Sequence, residues 1–133
     1  MKNKLIIWPI FVGVIVGIIY WFATMGMATI MGISIWQLFG TAAFLGALFL
    51  MLSLSTDPLK ISLFLTMGAE MAIIAKIAYD ILLNISSHNL LGIDIIFSAF
   101  VISISALAGA FLGKIIKNLR VRFANHNNKK SKF

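Results

Sequence analysis

The fold is decided by residues 62–83, SLFLTMGAEMAIIAKIAYDILL, a run apolar enough to lie in a lipid bilayer except for Glu70, Lys76 and Asp80. A charge at that depth costs about 2.5–3.5 kcal/mol on insertion scales, so ionisable residues there face a partner, a cavity or a bundle interior. Read as a helix at about 100° per residue with Glu70 at zero, Thr66 falls near −40°, Ile73 near −60°, Ser62 and Asp80 near −80°, Ala69 near −100° and Lys76 near −120°. The polar groups therefore share one face. Phe64, Met67, Met71, Ile74, Ala78 and Leu82 make up the opposite, apolar face, suited to lipid or to another helix.

The rest of the chain agrees with a membrane setting. Of its 133 residues 61% are hydrophobic and 11% charged, with a mean hydropathy of +1.03, which excludes an ordinary soluble domain. Each crossing needs about 20 apolar residues, so the length holds about four spans and leaves no room for a soluble catalytic domain. Spans are expected at about residues 5–23, 35–53, 60–83 and 90–113, followed by a basic tail over 114–133. The expected class is all-α: an integral membrane protein of four antiparallel transmembrane helices with short loops and a basic cytoplasmic C-terminal tail. Cysteine is absent, which removes disulfides and thiolate chemistry.

The basic start Met1–Lys4 and the apolar run behind it resemble a signal peptide, with Gly26-Met27-Ala28 as a cleavage-like site. The run exceeds the about 7–15 residues of a signal-peptide core, so a retained first span is expected. Pro9 falls in its first turns, where a missing N–H costs little. Gly13 and Gly17 form a GxxxG pair that admits a close neighbour. The following connection carries Met25, Met27 and Met31, thioethers of a type that binds Cu(I); packing is the simpler use of such side chains. Trp36 and Gln37 enter the second span at interface level, and Ala42, Gly46, Ala43 and Ala47 give it small positions. Thr56-Asp57-Pro58 is a clear break, after which Pro58 opens the third helix. Ser86, Ser87 and His88 mark a polar turn, and Asn89 is placed to cap the fourth span. In that span Ser105, Gly109 and Gly113 recur every four residues, the strongest packing seam in the chain, and the helix is expected to run on past Gly113 before an unstructured stretch from Asn125 to Phe133.

Charge orients the chain. Net charge is +7 and seven of the eleven Lys and Arg residues lie in the last twenty positions, Lys114, Lys117, Arg120 and Arg122 among them. With both termini and the Asp57–Lys60 loop on one side, the positive-inside rule places that side in the cytoplasm, here the cytoplasm of a bacterial or archaeal cell. Lys114, Lys117, Arg120 and Arg122 are then contacts for anionic lipid headgroups. Nucleic acid is not an expected partner, because no aromatic platform accompanies the charge.

If each span is centred in the bilayer, a rise of about 1.5 Å per residue sets Glu70 about 3 Å from the middle, Lys76 about 6 Å and Asp80 about 12 Å toward the outer side, with Asp94 matching Asp80 at about 11 Å. Lys76 reaches Asp80 at i+4 and is in range of Asp94, an arrangement that a neutralised structural lock would explain. Glu70 has no such partner in reach; hydrogen bonding to Thr41 or Gln37, protonated structural glue, and alternate protonation in a carrier cycle are the open readings. His88 and His126 lack a ligand pattern, and no catalytic constellation or metal and cofactor motif is present, so no enzyme is expected. Asn84-Ile85-Ser86 fits a glycosylation acceptor only in a secretory pathway. Three functions stand open: a component of an ion or small-solute transport system using Glu70, with a homo-oligomer or a larger membrane complex as its setting; an assembly subunit whose charged stripe pairs with a partner helix; and a holin-like lesion-forming protein.

Overall fold

The computed structural model describes residues 4–22, 34–54, 56–83 and 91–130, with side chains for all of these except 4–5, 20, 91–94 and 125–130. Its described residues form four helices: α1 Lys4–Phe22, α2 Ile35–Ser53, α3 Pro58–Leu82 and α4 Leu91–Lys130. The methionine-rich connection Thr24–Ile33 and the turn Asn84–Asn89 lie outside the described residues.

Local chemistry sets the helix ends. Ser34 caps α2 through a reciprocal box: its hydroxyl accepts from the Gln37 N–H at 3.3 Å, and the Gln37 side chain accepts from the Ser34 N–H at 3.2 Å. Leu54 turns extended and ends α2, and Pro58, at the first position of α3, needs no hydrogen-bond partner for its nitrogen. No proline or glycine follows Gly113, and residues 114–124 include Lys114, Lys117, Leu119, Arg120, Arg122 and Ala124, good helix formers. α4 accordingly continues to Lys130, through the Asn125–Lys130 stretch expected to be unstructured. At about 1.5 Å per residue it is about 60 Å long, twice the about 30 Å of a bilayer core.

The order round the bundle is α1, α3, α4, α2, so α3 packs on α1 and α4 rather than on the helix that precedes it. Two of the interfaces run in parallel register. Ile10 meets Gly68, Gly13 meets Leu65 and Ala69, and Gly17 meets Ala69 and Ala72, so numbers ascend together along α1 and α3. Gly40 meets Ser105, Phe44 meets Gly109 and Met51 meets Gly113 along α2 and α4 in the same way. The approach requires glycine: a Cβ on Gly13 would strike the Leu65 carbonyl and stand 3.0 Å from the Ala69 nitrogen, and one on Gly109 would strike the Phe44 backbone. Gly46 sits between Val12 and Leu65. The α3 and α4 helices run in opposite senses, with Ser62 and Thr66 beside Ser103 and Glu70 beside Ser98.

Phe39, Ala43, Ile61, Leu65, Ala69, Ile73, Ile102 and Ala106 fill the core, while the outer surface of the helices carries exposed Phe49, Met67, Met71, Ile74, Leu82 and Phe100. Three helices, Ile35–Ser53, Pro58–Leu82 and α4 over Ile95–Ala124, are long and apolar enough to cross a membrane; in α1 the corresponding described apolar stretch, Ile6–Ile19, is shorter. Half of the apolar window of α3 is buried inside the molecule, against 28% for α2 and α4. The charged helix is therefore the one most enclosed by the others.

Candidate functional site

The polar stripe of α3 is one face in sequence and two sites in the structure. Lys76 lies on the side of α3 that meets α1. Its Nζ pairs with the Asp80 carboxylate on the same helix, and both residues are 7% exposed. The Trp21 ring covers the ammonium at 6.0 Å, its Nε1 donates to the Ala72 carbonyl at 3.1 Å, and it stacks with Tyr79 at 6.1 Å between centroids. The pair is thus charge-neutral, enclosed, and fixed by an aromatic cover from α1.

Glu70 faces α4. Ser98, 1% exposed, places its Oγ 2.9 Å from Glu70 Oε1 and 2.9 Å from the Ile95 carbonyl. Glu70 Oε2 is buried and has no hydrogen-bond partner among the described residues. Of the open readings, the hydrogen bond to Thr41 or Gln37 does not occur: Thr41 is exposed and Gln37 is occupied at the cap of α2. The partner is a serine of the fourth helix instead.

Hydrogen counting constrains this contact. A serine hydroxyl carries one hydrogen, so with a carboxylate at Glu70 one of the two short contacts of Ser98 lacks one of its own. A carboxylic acid at Glu70 would supply it by donating to Ser98 Oγ, leaving Ser98 to donate to Ile95 alone, whereas with a carboxylate the one Ser98 hydrogen is shared between Glu70 Oε1 and the Ile95 carbonyl. Toward the Pro58 end the same interface continues as hydroxyls: Ser103 Oγ donates to Thr66 Oγ1 at 3.2 Å, and Ser62 Oγ donates to the Ser103 carbonyl at 3.1 Å.

The side chain of Asp94 lies outside the described residues, but its backbone level is fixed by α4. Asp94 stands one turn, about 6 Å, beyond Ser98 and so lies level with the Ile74 region of α3. The expected match in depth with Asp80 does not hold. It assumed that each span is centred, whereas the register is set by the Glu70–Ser98 and Ser62–Ser103 contacts, and α4 runs far past Gly113. Of the basic residues, Lys114, Arg120 and Arg122 are exposed, and Lys117 reaches back so that its Nζ donates to the Leu54 carbonyl at the end of α2, 3.2 Å away. The side chain of His126 is outside the described set, and no group of three potential metal-ligating His, Cys, Asp or Glu residues occurs among the described residues.

Ser98 is the residue that sequence reasoning missed. Ser103 is likewise absent from the sequence reading as a functional residue, although hydroxyls on a neighbouring helix facing a buried carboxyl were the signal that could have found both. No protein-family model, curated protein or solved structure matches the chain. Function is therefore argued from the site.

Proposed function

We propose that this chain is a small polytopic membrane protein that works in an ion transport system, with Glu70 as an intramembrane group that takes up and releases a proton. All four helices cross the bilayer in alternating sense, with both ends and the exposed Lys114, Arg120 and Arg122 at the cytoplasmic surface, where anionic headgroups meet them. The observation that carries the reading is the Glu70–Ser98 contact: two acceptors at 2.9 Å from one hydroxyl and a second carboxyl oxygen buried without a partner. Adding a proton satisfies the first and removes the charge from the second, and removing it reverses both. A core filled by Phe39, Leu65, Ile73 and Ile102 suits a proton, which moves between hydroxyls, better than a solute that needs an open pore. Larger cargo would require a homo-oligomer or partner subunits.

The assembly-subunit reading receives less support, because the Lys76 and Asp80 charges that would attract a partner helix are buried and paired within the chain. The test is proton flux into vesicles reconstituted with purified protein and a trapped pH dye. Glu70→Gln keeps the hydrogen-bonding shape and cannot titrate; it is expected to lower flux at least about tenfold while leaving elution on size exclusion unchanged. Unchanged flux in a correctly assembled variant would remove Glu70 from the mechanism.

A further inference from the structure

We propose that Glu70 exchanges its proton with the Pro58 side of the molecule alone, through the surface groove between α3 and α4 and the hydroxyls beneath it. The inference rests on the reading of Glu70 as the proton site and adds the route and its sidedness.

The two directions along the α3–α4 interface differ chemically. Toward Pro58, Glu70 is followed one turn away by Thr66, which accepts from Ser103; Ser62 lies one turn farther and donates to the Ser103 carbonyl. Ser62 and Ser103 then border a surface groove of about 240 Å³, completed by Leu59, Leu63, Ile104 and Leu107. This groove occupies the first two turns of α3 and so lies within about 9 Å of its start, beside exposed Lys60, at the depth where water and headgroups mix. Toward Leu82, the same face of α3 carries Ile73 and Ile77, 1% and 3% exposed. The hydroxyl side gives a proton successive oxygens; the other side gives it close-packed Ile73 and Ile77 and then the buried, mutually paired Lys76 and Asp80. Of the other charges on the packed helices, the described side chains of α1 from Ile6 and all of α2 include none, Lys76 is held by Asp80, and the Asp94 backbone stands one turn of α4 from Ser98 on the Leu82 side, farther from the groove.

Because the chain has no cysteine, each introduced thiol is unique. Thr66→Cys, Met67→Cys and Ile77→Cys are placed in oriented vesicles and treated from either side with a membrane-impermeant, anionic methanethiosulfonate. Thr66 and Met67 are at one depth, but Met67 is exposed on the outer surface, so the pair separates a wet route from mere nearness to the interface. The thiol at 66 is expected to react from the Lys60 side only, at least about tenfold faster than those at 67 and 77. Ser103→Cys on α4 should show the same sidedness, which guards against a misfolded Thr66 variant. Reaction at 66 no faster than at 67, or faster from the opposite side, overturns the route. The labelling pattern does not depend on flux, so a Glu70→Gln variant with undiminished flux would sink the proton reading and leave this result legible.

Discussion

The two charged clusters of α3 are held on one helix but solve the cost of burial in opposite ways. At Lys76 and Asp80 a cation and an anion on adjacent turns neutralise one another, with Trp21 laid over the ammonium from α1. At Glu70 no countercharge is supplied; one oxygen meets the Ser98 hydroxyl and the other is buried with no partner among the described residues. A paired charge gains nothing from exchanging protons and loses its partner's attraction if it does. A solitary carboxyl in the same surroundings has the proton as its simplest neutralising agent. The contrast teaches that burial of a charge is not by itself a sign of function. What distinguishes the functional candidate is the kind of partner.

The comparison can be broken most forcefully at the pair. Lys76→Met leaves the Asp80 carboxylate buried without its cation and is expected to cost about 3–5 kcal/mol of stability, read as a large drop in thermal unfolding temperature in detergent. The double variant Lys76→Met with Asp80→Leu should recover most of that loss and keep proton flux. A double variant as unstable as the single one, or stable but without flux, would show that the pair is more than a lock.

A smaller effect sharpens the other side. Ser98→Ala removes one interhelical hydrogen bond, worth about 0.6 and at most about 1.7 kcal/mol in membrane bundles, so assembly should survive. Flux should fall without reaching the Glu70→Gln level, because the carboxyl remains but its hydroxyl partner is gone, and Ser98→Thr should restore it. Equal flux in Ser98→Ala and the unaltered chain would mean that the hydroxyl only packs.

Much of the fold was legible in the sequence where hydropathy and punctuation coincide. Expected spans of 35–53 and 60–83 correspond to α2 at Ile35–Ser53 and α3 at Pro58–Leu82, since Ser34, Pro58 and the apolar runs between them act locally. The continuation of α4 past Gly113 was legible, but its run through 125–130 to Lys130 was not, because that polar, lysine-bearing stretch reads as unstructured by composition. The i+4 pairing of Lys76 with Asp80 could be read from spacing alone. Which helix faces Glu70 could not. That depends on the bundle order α1, α3, α4, α2 and on a register set by glycine contacts and hydroxyls, both properties of three-dimensional packing.

Glu70 is the only glutamate in the chain, which permits one direct measurement of the central claim. Protein carrying carboxyl-labelled [13C]glutamate and reconstituted in lipid would be followed by infrared difference spectroscopy as pH is raised. The account requires a labelled carboxylic-acid band that converts reversibly to a labelled carboxylate band and is absent from Glu70→Gln. A labelled band that stays in one form at every pH at which the protein remains folded would contradict it, and would leave Glu70 as a fixed structural group like the Lys76–Asp80 pair farther along α3.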